Sequence, residues 1–560
     1  MASDKCTAFV RTATSKTNWL VILLLLGSLS GFGQTKRKYL VQLRDKAGSP
    51  YSVGRPDQFL SQRSILRRQK QNIPVLERDL PVNPAYVTQL QQAGAKIWFT
   101  SRWLNAVLVE ATDATIATVQ KLPIVKGLEF GRSLANARLD AGSTFPSTAT
   151  KAGDQAVKFG DLLPLNYGTS TDQVTQIGVD NMHQQGFHGE NILIGVLDAG
   201  FLNADKAGFL KPVFDEKRVL ATYDFVRKET AVYEDDSHGL SCLAAIAATA
   251  DNQLYGTAFK AQFVLIRTED AGSESRLEEA NWLFGAEYAD SAGVDVISSS
   301  LGYTQFDDAS TNYTYQNLDG KTALVTRAAQ IASETGMVVV VAAGNDGNSS
   351  WRYLSAPADA VGVLAIGAVT QAGQRAGFSS FGPSADGRVK PDLAARGQGT
   401  VVGSPGGQIL LGNGTSFATP LVAGLAAGFW QAHPQLTAAQ VTLALRQSGS
   451  QFSNPDDQLG YGIPNFERAS VVAESLQALL IYPNPFSETE PLSVIWGEVA
   501  TNIPLDATLT DLTGRVIWQR QYASGGLAAF ALPNLGLSAG IYVMTLVAGE
   551  KKRTVKIVKR

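Results

Sequence analysis

Four short strings, far apart in the chain, carry side chains that together could transfer an acyl group. They are VLDAG at 196–200, DSHG at 236–239, AAGN at 342–345 and GTSFATP at 414–420. In this order they supply a carboxylate, an imidazole, an amide and a hydroxyl. Acyl transfer needs a nucleophile, a base, a group that orients the base and a donor for the oxyanion. Each string alone is weak evidence, but the four together predict a nucleophilic catalytic site.

The carboxylate and the imidazole come from Asp198 and His238. Asp198 follows an apolar strand, where it can accept a hydrogen bond from an imidazole and fix its tautomer. For this string alone, a turn or capping aspartate is the commoner interpretation. His238 precedes an apolar helical stretch, so its ring is expected at an accessible helix start, although an ordinary partly buried histidine is the alternative. Cys242 lies one turn further on the same face and is predicted to be a small buried residue rather than a redox group.

The hydroxyl and the amide come from Ser416 and Asn345. Ser416 is predicted to open a helix rich in Ala and Gly that runs to about Trp430, which leaves its backbone N–H free to bind an oxyanion. Pro420 lies near the first turn, where a missing N–H does least harm. Asn345 ends a buried apolar strand, and its amide can donate to the same oxyanion. The alternatives are a simple N-cap serine and a turn asparagine.

Residues 166 to about 475 must form the elements that hold these strings. Near-continuous apolar runs alternate there with helical patterns, which indicates an α/β fold: a mostly parallel sheet with helices on both faces. The four strings fall at strand ends, where open α/β sheets place their sites. The predicted strands are 192–197, 263–266, 294–297 and 337–341.

The flanking regions differ from this central part in their sequence patterns. Residues 1–33 are predicted to be a signal peptide, because the apolar run at 19–26 is far shorter than the ~20 residues that span a bilayer, a membrane anchor being the alternative. Residues 36–133 read as a small α+β unit of β-α-β-β-α-β order, with a helix at 57–71 capped by Asp57. Residues 134–165 are predicted to be a linker and the expected processing site. Residues 478–560 read as a small all-β sandwich.

Composition excludes several functional classes. The chain has 560 residues, 44% of them hydrophobic, and a net charge of -2, so neither nucleic acid nor an anionic membrane is expected as a partner. Cys6 lies in the predicted signal peptide, which leaves Cys242 as a single thiol without an intramolecular disulfide. With four histidines in all, a multi-histidine metal centre is not expected.

The four strings resemble those of the subtilisin-like serine peptidases, the subtilases, over about residues 166–475. Supporting matches are YGTAFKA at 255–261, FSSFG at 378–382 and KPD at 390–392. One departure is Leu240-Ser241, where the family more often has Thr-His; this changes the helix interior and not the imidazole. The resemblance implies a mostly parallel α/β sheet and endopeptidase cleavage of polypeptides.

The same resemblance implies individual roles. Asp198, His238 and Ser416 would be catalytic, and Asn345 would donate to the oxyanion. Activity is then expected to fall as His238 protonates, roughly below pH 6 to 7. The walls of the pocket for the residue before the scissile bond would be Ser300, Leu301, Gly302, Ala343 and Gly344, and their small side chains favour an apolar or aromatic residue there.

Ligands other than the substrate are weakly indicated. Glu269, Asp270 and Glu274 lie where the family binds substrate backbone and would favour basic residues upstream, although a solvated acidic loop is the preferred interpretation. The chemistry requires no cofactor and no catalytic metal. A structural calcium ion, common in the family, is left open because no loop has convincing ligand spacing.

The outer regions also resemble known modules. Residues 36–133 resemble a subtilase propeptide, which would act as chaperone and intramolecular inhibitor and be released by self-cleavage in the linker. The C-terminal region, with YPNPF at 482–486, TGR at 513–515 and AGIY at 539–542, resembles a type IX secretion sorting domain. That implies secretion machinery as a partner, and export through the periplasm of a Gram-negative bacterium to the medium or cell surface. A generic adhesion sandwich is the alternative.

Two competing functions remain. An α/β-hydrolase esterase would need the order Ser, acid, His and a G-x-S-x-G elbow, whereas here the acid comes first and Ala418 stands where the second glycine should be. The other is a catalytically inactive subtilase-fold surface binding protein. All four functional side chains are present, so the sequence favours a secreted serine endopeptidase made as a self-processing zymogen.

Overall fold

The structure, a computed structural model, describes most of the chain outside its N-terminus. No helix in the described part is long and apolar enough to cross a membrane. The predicted signal peptide, and the predicted linker except for its first three residues and its last, lie outside it. The described residues are 35–136, 165–477, 479–487, 492–496, 504–522, 528–549 and 551–560.

The N-terminal region is built on an antiparallel sheet with strand order β2-β3-β1-β4, and β5 pairs with β1 beyond the end of β4. Two helices, α2 and α3, cover one face of this sheet, where Leu90 and Val119 pack on Val41 and Val107. The observed order is β1-α1-α2-β2-β3-α3-β4, so one helix more than predicted lies between β1 and β2, and it is α2, not the predicted helix, that packs on the sheet. The elements are β1 (Arg37–Leu43), α1 (Gln62–Lys70), α2 (Pro84–Gln92), β2 (Lys96–Ser101), β3 (Ala106–Ala111), α3 (Asp113–Val119), β4 (Val125–Leu128) and β5 (Ala135–Asn136).

The first helix of this region differs from the prediction. Asp57 lies inside a short 3-10 turn, Pro56–Gln58, and does not cap a helix. The cap of α1 is Ser61, whose hydroxyl accepts from the backbone N–H of Ser64 at 3.1 Å. The prediction failed because Asp57 and Ser61 are both suitable helix-capping residues, and a 3-10 turn lies between Asp57 and the helix.

Helix α2 was not predicted at all. Asn83 caps it by accepting from the N–H of Ala85 at 2.9 Å, and Pro84 occupies its first position. An Asn-Pro start is a recognised helix signal. In the first turn of a helix the backbone N–H groups have no partner within the helix, so the missing N–H of proline costs nothing there. The sheet also extends beyond the predicted boundary at 133, since Leu134 is buried and β5 pairs with β1.

The central region contains a seven-stranded sheet of order β14-β13-β12-β11-β6-β10-β7, in which every neighbouring pair is parallel. This confirms the predicted α/β class. A separate antiparallel hairpin, β15-β16, precedes α10. The elements are α4 (Thr171–Thr175), α5 (Val179–Gln184), β6 (Leu193–Asp198), α6 (Lys211–Asp215), β7 (Val219–Asp224), α7 (His238–Ala247), β8 (Thr249–Ala250), β9 (Leu254–Tyr255), β10 (Gln262–Arg267), α8 (Arg276–Ala292), β11 (Val296–Ser299), α9 (Leu324–Glu334), β12 (Val338–Ala342), β13 (Leu364–Val369), β14 (Leu393–Arg396), β15 (Gln398–Gly403), β16 (Ile409–Asn413), α10 (Thr415–Ala432), α11 (Ala438–Gln447) and α12 (Phe466–Gln477).

Both faces of the parallel sheet are covered by helices. In β6, Ile194 and Val196 join one hydrophobic cluster with α7, α10 and α11. Leu193 and Leu197 point the other way and join a second cluster with α8 and α9. Because side chains alternate along a strand, only a continuously apolar strand can be buried on both sides. The N-terminal sheet packs on this second cluster through Leu40 and other residues of its open face.

The C-terminal region is an all-β unit of two antiparallel sheets, β17-β18-β21 and β20-β19-β22-β23. Trp496 from the first sheet and Leu509 and Met544 from the second are fully buried in one shared core. Two sheets around a common core confirm the predicted sandwich. The strands are β17 (Leu479–Tyr482), β18 (Ser493–Trp496), β19 (Leu505–Thr510), β20 (Val516–Tyr522), β21 (Ala528–Ala531), β22 (Gly540–Ala548) and β23 (Lys551–Lys559).

Helix α10, which carries Ser416, packs closely against its neighbours through two glycines. A Cβ at Gly424 would lie 1.9 Å from Oγ1 of Thr257 and 3.1 Å from the backbone nitrogen of Ala258. A Cβ at Gly428 would lie 2.4 Å from Cε of Met182, the free end of a flexible side chain. The helix can therefore approach the 257–258 segment only without a side chain at 424, which fixes its depth in the core.

We expect Gly424→Ala to destabilise the full chain by about 1–3 kcal/mol, because overpacking against a buried segment outweighs the ~1 kcal/mol gain in helix propensity. Gly428→Ala is the matched control and should cost clearly less, since Met182 can change rotamer. Chemical denaturation of the two variants measures the difference. Equal stabilities would contradict the close approach at 424.

Candidate active site

Asp198 and His238 form a pair where β6 ends and α7 begins. Asp198 is the last residue of β6 and is fully buried, and its Oδ1 lies 2.7 Å from Nδ1 of His238. The same oxygen accepts from the N–H of Ala199 at 2.8 Å. A Cβ at Gly239 would lie 2.9 Å from Cβ of Asp198 and 2.5 Å from the carbonyl oxygen of Gly200. Glycine at 239 therefore lets the helix start against the strand end, which places the imidazole on the carboxylate.

The electrostatics of this pair follow from that contact. The Asp198 carboxylate raises the pKa of His238 well above its usual 6.5, and neighbouring Cys242 acts in the same direction, while burial opposes both. Nδ1 then carries the proton shared with Asp198, which leaves Nε2 able to accept another. The His238 side chain is 33% exposed, so the ring remains reachable from solvent.

Ser416 lies beside the pair, as the second residue of α10. Its hydroxyl donates to the backbone oxygen of Ser300 at 3.2 Å, and its own carbonyl accepts from the hydroxyl of Ser300 at 2.8 Å. The thiol of Cys242 connects the two strings, with Sγ 3.4 Å from the Ser416 oxygen and 3.8 Å from Nδ1 of His238. The Ser416 hydroxyl thus donates to the backbone of Ser300 and not to the imidazole of His238.

Two N–H donors line a small space next to Ser416. Oδ1 of Asn345 accepts from the backbone N–H of Thr415 at 2.8 Å and from its hydroxyl at 3.1 Å, which fixes the amide and frees Nδ2. A Cβ at Gly414 would lie 3.6 Å from the nitrogen of Ser416 and 3.8 Å from Nδ2 of Asn345. Because Gly414 has no side chain, the space between these nitrogens is open. Two converging donors at a helix N-terminus suit an anionic oxygen.

The five predicted pocket residues lie at the same sheet edge. Ser300, Leu301 and Gly302 follow β11, and Ala343 and Gly344 follow β12. A Cβ at Gly302 would lie 2.6 Å from Cβ of Ser355, and a Cβ at Gly344 would lie 2.7 Å from Oγ of the same serine. Ser355 therefore lies between the two segments. Gly344 also has φ of 113°, which a larger residue would rarely adopt.

Sequence reasoning missed two contributors to this site. Thr415 orients Asn345, and Ser355 separates the two pocket segments, although nothing local marks Ser355. Cys242 is a small buried residue beside His238 and Ser416, as its spacing of four residues from His238 predicts. Ligand atoms of Asp198, His238 and Cys242 all lie within 4.8 Å of one another, the only group of this kind among the described residues.

The acidic residues near α8 line a cavity of about 310 Å³. The sequence favours a solvated acidic loop here, but Glu269 is buried. Its carboxylate accepts from the hydroxyl of Tyr303. Burial raises the pKa of Glu269 to about 8 and that of Glu274 to about 7. Glu278 accepts from the backbone N–H of Ser275 at 2.7 Å and so caps α8. These carboxyl groups are therefore partly protonated near neutral pH.

Comparison with known proteins identifies the family. A model described as the subtilase family matches residues 189–462. Subtilisin NAT from Bacillus subtilis subsp. natto is 32% identical over 301 residues, which cover 53% of this chain and 70% of the relative. The chain is a subtilase. Subtilisin from Bacillus pumilus is also 32% identical over 301 residues, covering 53% and 97% of the two chains. The crystal structure of MycP1 with the N-terminal propeptide removed covers 53% of this chain and 96% of that one, at 22% identity and a TM-score of 0.43.

The outer regions of this subtilase match two further family models. Residues 38–144 match a peptidase S8 propeptide domain of Bacteroidota, and residues 480–560 match a secretion system C-terminal sorting domain. The protein is thus a serine endopeptidase of the subtilase family, made with a propeptide and a type IX sorting domain. It is secreted or placed on the cell surface of a Gram-negative bacterium. Family membership excludes the esterase alternative.

We expect His238 to lose its proton at a higher pH than His183 and His433. Asp198 raises the pKa of His238, whereas burial lowers that of His183 to about 3 and also lowers that of His433. NMR titration of histidine-labelled chain measures the order, which is practical with four histidines. Asp198→Asn should lower the pKa of His238 and leave the others unchanged. A His238 pKa at or below 6.5 in the unaltered chain would contradict the Asp198–His238 contact.

Proposed function

We propose that this subtilase is a self-processing zymogen in which Asp198, His238 and Ser416 act as catalytic triad and Asn345 as oxyanion donor. The observation that carries the proposal is the 2.7 Å contact between Asp198 Oδ1 and His238 Nδ1, with Ser416 beside it at the start of α10. The nucleophile, the base and the orienting acid come from three separate elements that meet at one edge of the sheet. Such convergence is the arrangement that peptide hydrolysis by a serine needs.

In the proposed mechanism, the Ser416 hydroxyl turns from Ser300 toward Nε2 of His238 when a peptide binds. Its oxygen attacks the scissile carbonyl while His238 takes the proton, and Asp198 stabilises the imidazolium. The new oxyanion occupies the space that Gly414 leaves open and accepts from the N–H of Ser416 and from Nδ2 of Asn345. His238 then gives its proton to the leaving amine, and water releases the acyl group by the same steps.

The pH dependence of this mechanism follows from the state of His238. The base must be neutral to accept a proton, so activity appears as pH rises through the pKa of His238. Because Asp198 raises that pKa well above 6.5, the acidic limit of activity shifts upward from the pH 6 to 7 expected from sequence. A pH profile of kcat/KM on a peptide substrate should therefore show its acidic limit above pH 6.5.

Substrate selection is proposed to rest on the segments 300–302 and 343–344 beside Ser416. Ser355 lies against both Gly302 and Gly344, and the half-buried Leu301 adds apolar surface next to them. An apolar or aromatic residue before the scissile bond gains burial there, at roughly 25 cal/mol per Å² of apolar surface. Glu269 and Glu274 border a separate acidic cavity. Because burial raises the pKa of both carboxyl groups, this cavity carries reduced negative charge near neutral pH.

Self-processing is tested with Ser416→Ala. We expect the unaltered precursor to lose its N-terminal region by a cut within 134–165, while the Ser416→Ala precursor stays at full length, because no other hydroxyl can replace the nucleophile. Ser475→Ala, which alters an exposed helix serine, is the control and should be processed normally. Electrophoresis and N-terminal sequencing read the outcome. A Ser416→Ala chain that is cut by itself at the normal site would end the proposal.

The oxyanion role is tested with Asn345→Ala. We expect kcat on a chromogenic peptide to fall by about 100- to 1000-fold with little change in KM, since the donor acts only on the transition state; this magnitude was measured in subtilisin, a relative of this chain. Gly414→Ala should act in the same direction by filling the space. Asn348→Ala, three residues on and exposed, is the matched control. A loss confined to KM in Asn345→Ala would contradict the role.

A further inference from the structure

Helix α1 belongs to the propeptide in sequence but not to its core. No residue of α1 is in the hydrophobic cluster formed by the propeptide sheet with α2 and α3. The helix lies instead across the C-terminal ends of α8 and α9 of the catalytic domain. Ser61 opens this contact by donating its backbone N–H to the Ser291 oxygen at 3.0 Å, and Gln71 closes it by donating to the Gly336 oxygen at 2.8 Å.

Three propeptide guanidinium groups converge on one carboxylate of the catalytic domain. Arg68 donates to both oxygens of Asp290, at 2.9 and 3.1 Å, and Arg67 and Arg102 also pair with it. Asp290 is fully buried, and none of the three arginines is more than 9% exposed. Burial alone would raise the pKa of Asp290, but the three cations outweigh it and lower the pKa. A buried carboxylate with three cationic partners is a strong and specific contact as long as all partners remain.

The same helix also satisfies carbonyl groups at the ends of α8 and α9. Arg63 donates to the Gly293 oxygen at 3.0 Å, Arg67 to the Val294 oxygen, and Arg68 to the Thr335 oxygen at 3.2 Å. Helix C-termini carry unpaired carbonyls and a partial negative charge, which favour cationic donors. A Cβ at Gly293, which has φ of 89°, would lie 2.7 Å from Cβ of Arg63, so the glycine that ends α8 also makes room for α1.

This contact lies at the end of the sheet opposite the catalytic residues. Asp295 accepts from the N–H of Leu193 at 2.9 Å, at the start of β6, and also pairs with Arg63. Asp198 is at the other end of the same strand. Five residue steps at roughly 3.3 Å each separate the two ends by about 16 Å. Contacts of α1 are therefore independent of whatever occupies the catalytic cleft.

We propose that the ends of α8 and α9 form a guanidinium-binding exosite centred on Asp290, whose ligand is helix α1 of the chain's own propeptide. The exosite holds the propeptide without help from the active site, so that a cut in the linker does not release the inhibitor. Retention after the cut rests on the proposed self-processing. The occupancy of the exosite by α1 does not depend on self-processing, and it can be measured in a chain that cannot cut itself.

The first experiment is hydrogen exchange on the full chain carrying Ser416→Ala. Replacing Arg67 and Arg68 by methionine should increase the exchange rates of the α1 amides by at least 10-fold, while strands β1, β3 and β6 keep their protection. Lys70→Met, which removes an exposed charge from the same helix, should leave α1 protected. If α1 stays protected in the double variant, the exosite is wrong. If the double variant loses β6 protection as well, Asp290→Asn decides by the same two readouts.

The second experiment uses the processed protein. After the cut, the unaltered propeptide should co-elute with the catalytic domain in size-exclusion chromatography, and Asp290→Asn should raise the dissociation constant by about 100-fold or more. Lys70→Met again serves as control. A dissociation constant that is unchanged in Asp290→Asn overturns the exosite. A chain that is never cut refutes self-processing instead, and leaves the exchange experiment to judge the exosite alone.

Discussion

The contact between Asp198 and His238 is the constraint on which the rest of the central region depends. It requires a strand that ends and a helix that begins within one hydrogen bond of each other. The strand is buried on both faces, and the helix start is pressed against it at Gly239, where no side chain fits. The parallel sheet and its two helical layers are the frame that holds these two chain segments at that spacing, since neither could keep its place alone.

The chemistry at the edge of the sheet is shared between backbone and side chains. Ser416 and Gly414 contribute an open N–H and an open space because a helix begins there, and Thr415 contributes by orienting Asn345. The propeptide uses the opposite property of helices at α8 and α9, where unpaired carbonyls attract cations. In the proposed mechanism a helix N-terminus binds the oxyanion, whereas the C-terminal ends of α8 and α9 bind the arginines of the propeptide.

Sequence reasoning predicted the parts of the fold whose signals are local. The apolar run ending in Asp198 and the small residues after Ser416 were sufficient to predict a strand end and a helix start, whereas the strand before Asn345 ends at Ala342 and not at the asparagine. Long-range matches were not predictable: Ser355 fits between Gly302 and Gly344, and Arg68 meets Asp290, only because folding brings distant segments together. The prediction of the α1 cap failed for a different reason. Asp57 and Ser61 are both good capping residues, and only tertiary contacts determine which of them begins the helix.

The pairing of β5 with β1 determines what a cut beyond it can do. Ala135 and Asn136 are hydrogen-bonded to the first strand of the chain's N-terminal region, and Leu134 is buried under it. Proteolysis anywhere after Asn136 therefore leaves all five strands of that sheet covalently intact. The severed piece would keep the whole of its sheet, so in the proposed maturation the cut and the removal of the propeptide are separate steps.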